Sequence, residues 1–103
     1  MAAEIKPSTV TQVFLKAVEE RGEASALNVM RNGKHLKWSW KKFGQEANAF
    51  AKALTHLNVD ERSCVNIMGF NSPEWAISYY GSVIHNNVVS GVYTTNGAEA
   101  CKY

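Results

Sequence analysis

The chain has 103 residues, 46% hydrophobic and 11% aromatic, enough for one small domain with its own core, and that composition excludes intrinsic disorder. Eleven Lys and Arg against nine Asp and Glu give a net charge of +2, too weak a bias to argue for nucleic acid or an anionic membrane surface. No stretch approaches the ~18 apolar residues of a membrane span.

The opening MAAEIKPSTV carries Glu4 and no apolar run, so it does not read as a secretory signal, and Ala2 excludes N-myristoylation. Residues 1–7 are expected to be a flexible N-terminus. A helix is predicted from about Thr9 to Arg21. Val10, Val13, Phe14, Ala17 and Val18 recur at helical spacing, Ser8 or Thr9 can cap the start, and Gly22 follows the end. Two extended runs, ALNVMR and KHLKWSW, are joined by Asn32-Gly33, a pair that tolerates positive φ at both central positions of a tight hairpin. Ser39 can cap a second helix running to about Leu57, with Phe43, Ala47, Phe50, Ala51, Leu54 and Leu57 at helical spacing. Trp38 and Trp40 lie among Lys34, Lys37, Lys41 and Lys42. This reads as one buried face and one wet face rather than a surface for stacking bases.

After the polar connection NVDERS, the strands CVNIMG and VVSGVY flank a helix of about 13 residues, a crossover that makes them parallel and the connection right-handed. Trp75, Ala76, Ile77, Tyr79, Tyr80, Val83 and Ile84 cover most of this helix, so it is expected to be buried on more than one side, and exposed and insoluble around Trp75 to Ile84 if the segment stands alone. Asn96 can cap a last helix starting near Gly97, with Glu99 reaching back in a capping box. That helix has fewer than two turns before Tyr103, so a second crossover is opened and not closed. The pattern reads as the front of a longer α/β protein. Cys64 and Cys101 form no CxxC pair and are expected to be buried, reduced thiols of a cytosolic protein.

A strand-to-helix turn that holds phosphates needs glycines and basic groups or bare amides. Here the turn is Gly69-Phe70-Asn71-Ser72-Pro73-Glu74, with one glycine, no cation, and a carboxylate where a phosphate would sit. Read as a helix start it is consistent throughout: Ser72 caps, Pro73 occupies the first helical position, and Glu74 faces the positive end of the helix dipole.

GFNSPEWAIS, Gly81 within the helix, and SGVYTTNGAEACKY together closely resemble the early part of fatty-acyl-CoA synthetases, nearest the bubblegum type of long-chain enzyme in the adenylate-forming, AMP-binding superfamily. WSWKKFGQEANAFAKAL, LNVDERSCVNI and the opening TVTQVFLKAVEERG resemble the segments that precede them, so the likeness covers about Ser8 to Tyr103. Relatives usually have small residues where this chain has His85-Asn86-Asn87; Asn tolerates left-handed backbone and can still end the helix. The implied fold is the front of the large N-terminal domain: helix, hairpin, helix, right-handed parallel βαβ unit, and a helix cut short. Residues 8–103 would be an incomplete part of that domain.

The resemblance implies a two-step ligase. A long-chain fatty acid and ATP give an acyl-adenylate and pyrophosphate, and coenzyme A then takes the acyl group. It implies ATP, Mg²⁺ and coenzyme A for the full-length enzyme, none of them held by this segment, which has no lysine-terminated phosphate loop and so is expected to be inactive alone. It implies a cytoplasmic location, with peripheral attachment to the endoplasmic reticulum or other membranes open for the parent enzyme. The loops Phe70-Asn71-Ser72 and Thr94-Thr95-Asn96 follow the carboxyl ends of the strands, where open α/β sheets bind ligands. Asn71, Ser72, Thr94 and Thr95 are therefore candidates for a pocket wall, with no catalytic or metal-binding residue expected. His35, His56 and His85 are too scattered for zinc, and no GxSxG marks a nucleophile. The expected partner is the remainder of the enzyme. The alternative is a non-catalytic structural subunit covered by a partner chain.

Overall fold

The computed structural model describes residues 6–102; the flexible N-terminus expected over 1–7 falls, for residues 1–5, outside the described residues, as does Tyr103. Helix α1 (Val10–Arg21) is followed by an antiparallel hairpin of β1 (Ser25–Arg31) and β2 (Lys34–Ser39), helix α2 (Trp40–His56), a parallel pair β3 (Cys64–Met68) and β4 (Val88–Val92) linked by helix α3 (Pro73–Ile84), and a short α4 (Ala98–Lys102).

The polar side chains at the element ends explain where the helices start and stop. Thr9 caps α1 in a reciprocal capping box with Gln12, and Ser39 Oγ accepts from Lys42 N at 3.1 Å to start α2. Asn32 and Gly33 have φ of 51° and 75°, the turn that matches the twist of a two-residue hairpin. Helices α2 and α3 each stop on an asparagine. Asn58 (φ 60°) and Asn86 (φ 64°) take the left-handed position after α2 and α3. Val59 N then bonds Leu54 O and Asn87 N bonds Ser82 O, each at 3.0 Å, closing both ends as Schellman turns. His85-Asn86-Asn87 thus ends the helix, as the tolerance of Asn for left-handed backbone predicts. Two terminal expectations differ. Gly22 ends α1 at φ −28°, without a left-handed step, because its carbonyl instead accepts from Lys41 N at the foot of α2. Gly97, not Asn96, immediately precedes α4, and the Glu99 capping box does not form among the described residues; the Asn96 amide is used in the preceding turn, bonded to Tyr93 O.

The core lies where α1, α2 and α3 meet. Phe14, Phe43 and Ala47 are buried at its centre, and the Phe14 ring stacks on Tyr80 at 4.3 Å and meets Phe43 edge-on at 4.9 Å. Gly81 lets α3 approach α2 closely, since a Cβ there would stand 2.7 Å from Ala47 O and Phe50 Cβ. Leu57, which shares the spacing of this face, is 70% exposed because it is already the C-cap of α2.

The other half of the molecule is open. The pair β3–β4 is a separate two-stranded sheet, and α3 covers one face of it. Burial alternates along β3, with Val65 and Ile67 half-buried and Cys64, Asn66 and Met68 exposed. Cys64 and Cys101 are therefore free but exposed, which corrects the expectation of buried thiols: Cys64 falls on the uncovered sheet face and Cys101 on a helix with no buried residue. The apolar surface left bare is also displaced from where it was expected. Residues of α3 from Trp75 to Ile84 are all at least half-buried, between α2 and the sheet, while Met68, Phe70, Val88 and Tyr93 stand exposed. The accessible surface totals 8007 Å², against roughly 5,800 Å² for a compact monomer of this mass.

Candidate functional site

The parallel pair is pinned at its amino end. Val88 N donates to Ser63 O at 2.9 Å and Arg62 N to Asn86 O at 2.7 Å. The buried Asn87 amide donates to Asp60 O at 2.8 Å, leaving its Oδ1 to accept from His85 Nδ1 at 2.6 Å. These contacts fix the register Cys64–Val88 through Met68–Val92, and so fix where the two strands release their loops at the carboxyl end.

A cleft of about 450 Å³ opens there. Its floor is the indole of Trp75, reached between Gly69 and Gly91, neither of which carries a side chain to cover it. A Cβ at Gly91 would meet Trp75 Cζ2 at 3.7 Å, an ordinary contact, so these glycines leave the indole bare rather than relieve a clash. Phe70 and Tyr93, 80% and 79% exposed, form the rim with Asn71 and Thr94. Trp75 in turn stacks on Tyr79 at 5.9 Å. The cleft is thus a broad aromatic wall with two neutral polar groups and no charged lining residue.

The four candidate side chains separate. Asn71 and Thr94 come together on the cleft. Ser72 is committed to α3, its Oγ accepting from Trp75 N at 3.3 Å, and it lines a smaller hollow with Ile67 and Ser78 instead. Thr95 sits in the exposed turn after β4 and does not line the cleft. Glu74, assigned only to the helix dipole from the sequence, has a second role. Its carboxylate accepts from Nη1 and Nη2 of Arg31, at 2.5 Å each, tying the hairpin to the start of α3. The Arg31 hydrogen bonds, with the backbone N–H of Glu74 itself, lower the Glu74 pKa from 4.5 to about 2. Both side chains stay well exposed, 39% and 55%, so water screens the pair and it orients more than it stabilises.

The residues here do not fit a nucleotide's phosphates or a metal ion. No Lys or Arg lines the cleft, Pro73 removes one helix N–H, and the nearest carboxylate is engaged by Arg31. Among the described residues no group of three His, Cys, Asp or Glu could hold a metal.

Residues 14–103 match the family described as AMP-binding enzyme. The long-chain-fatty-acid–CoA ligase ACSBG1 of Mus musculus is 39% identical over 98 residues, which are 95% of this chain and 14% of that protein. ACSBG2 of Gallus gallus is 38% identical over 97 residues, 94% of this chain. The chain spans 13–14% of the length of these curated relatives. Among solved structures, the N-terminal subdomain of Klebsiella oxytoca NpsA superposes with a TM-score of 0.79 at 17% identity, over 90% of this chain and 23% of that one. At that identity the likeness shows the fold alone.

Proposed function

The chain belongs to the AMP-binding enzyme family, as its resemblance to long-chain acyl-CoA synthetases of the bubblegum type implied, and we propose that it is the scaffold portion of a long-chain fatty-acid–CoA ligase. In this reading residues 8–103 supply one wall of the active-site region, and adenylation and thioester formation are carried out with ATP, Mg²⁺ and coenzyme A held by other parts of the enzyme. Asn71 and Thr94 face that region from the cleft, and Ser72 and Thr95 shape the loops that carry them. In this reading the enzyme works in the cytoplasm.

The observation that carries this reading is the uncharged cleft at the carboxyl ends of β3 and β4, where an open α/β sheet meets its ligands. A neutral wall suits a site whose phosphates are gripped elsewhere. ATP–pyrophosphate exchange tests it. The 103-residue chain alone shows no exchange with palmitate, and measurable exchange refutes the scaffold role. In a ligase containing this segment, Asn71→Ala with Thr94→Ala changes KM for the fatty acid by less than about threefold and leaves kcat intact, as expected of wall residues. A fall in kcat of tenfold or more would instead place them on the reacting atoms.

The uncovered sheet face favours one further reading, a non-catalytic subunit whose open surface is covered by a partner chain. The two readings diverge on purification: a stoichiometric partner and no ligase activity in the native preparation would establish the subunit.

A further inference from the structure

Asparagine precedes glycine in two places, Asn32-Gly33 and Asn96-Gly97. A glycine there has no Cβ to obstruct attack of its own nitrogen on the asparagine amide. The two pairs sit in different backbone settings. Asn32 is exposed at φ 51° and Gly33 follows at φ 75°, between Arg31 and Lys34, which are partners in the β1–β2 ladder. Ring closure needs the glycine nitrogen to swing into line with the asparagine Cβ, and a left-handed asparagine holds it nearly opposite. The bond from Arg31 to Glu74 ties that turn down further. Asn96 is half-buried and is not left-handed. Its own N–H donates to Tyr93 O at 3.0 Å, but its side chain and the Gly97 N–H enter no hydrogen bond among the described residues. A Cβ at Gly97 would meet nothing within 4 Å, and α4 beyond it has five residues, none of them buried, so little resists rotation at this pair.

We propose that Asn96-Gly97 is a self-modifying site, and that the hairpin turn protects Asn32-Gly33 from the same reaction. The Gly97 nitrogen attacks Asn96 Cγ. The new N–C bond closes a succinimide ring, the Cγ–Nδ2 bond breaks, and the amide nitrogen leaves as ammonia with the proton that Gly97 gives up. Water then opens the ring at either carbonyl, giving aspartate or an isoaspartate whose backbone runs through the former side chain. Nothing is oxidised or reduced, and water is the sole co-reactant. The product carboxylate lies two positions beyond Thr94, so an acid appears beside a cleft whose lining carries no charge. The site is independent of the ligase reading.

Incubation of the 103-residue chain in neutral buffer, followed by peptide mapping in a mass spectrometer, tests it. The peptide containing Asn96 gains the mass of an amide-to-acid conversion at least about tenfold faster than the peptide containing Asn32, which reacts only in the minor population with its turn open. In urea the two rates converge, because the turn is lost and both successors are glycine. Gly97→Ala, for which there is room, suppresses conversion at Asn96 and leaves that at Asn32 unaltered. Exposure alone favours the opposite order, since Asn32 is the more exposed of the two. Faster conversion at Asn32, equal rates in the folded chain, an equally wide gap in urea, an unaffected Gly97→Ala, or no conversion of folded Asn96 while the urea-unfolded chain reacts would each overturn it.

Discussion

At the junction of α1, α2 and α3, Phe14 is 4% exposed and Ala47 fully buried, whereas Met68 and Val88 of the parallel pair are 51% and 59% exposed. Both regions are apolar in sequence. They differ in how many sides are covered. The junction closes because three helices meet around Phe14, with small residues at Ala47 and Gly81 admitting the close approach. The pair β3–β4 has α3 on one face only, and parallel strands ordinarily need cover on both. The molecule therefore joins a finished helical core to an unfinished sheet, and its candidate site lies on the unfinished side.

Truncation should break that contrast most sharply. Phe14→Ala removes the ring that both Phe43 and Tyr80 pack against and is expected to cost about 3–5 kcal/mol, read from urea midpoints at constant m, whereas Met68→Ala costs less than about 1 kcal/mol because its side chain is half in water. Comparable losses at the two positions would mean the sheet face is covered in solution. Glycine substitutions give the next largest effect. Gly81→Ala drives a Cβ against the Ala47 carbonyl, a backbone atom that cannot rotate away, and should destabilise by about 1–3 kcal/mol. Gly91→Ala meets Trp75 only at ordinary contact distance and should be neutral or stabilising by up to about 1 kcal/mol, as strand glycines are. Thermal melts should show a lower midpoint for Gly81→Ala and an unchanged or higher one for Gly91→Ala.

What could be read from the sequence was local. Thr9, Ser39 and Ser72 cap helices because each competes for amides three residues ahead, and Asn32-Gly33 sets its own turn, so no distant residue is needed to see them. The placement of two loops was legible too: the crossover alone puts those of Asn71 and Thr94 at one end of the parallel pair. Contacts spanning many residues were not legible. The Arg31–Glu74 pair joins positions 43 apart, and Asn87 reaches Asp60 across 27. Neither pairing is implied by the residues near it. Exposure of Cys64 and the division between Asn71 and Ser72 were hidden for a different reason. Alternation along a strand shows that two faces exist, but which one is left bare depends on what packs above it.

The smallest expected effect tests the ion pair that ties the hairpin to the start of α3, and so to the edge of the open half. Glu74 titrates at about 2 in the folded chain against an ordinary value of 4.5, so the unfolded chain binds the proton first as pH falls. Its contribution is therefore complete above pH 4.5 and is lost progressively as pH drops toward 2. Stability measured across that window should decline less steeply in Glu74→Gln than in the parent chain, and the difference should shrink in high salt, because both partners are exposed. Arg31→Gln should flatten the same window if the guanidinium is the main cause of the shift. A pH dependence that survives Arg31→Gln unchanged would assign the depressed pKa to the helix start alone.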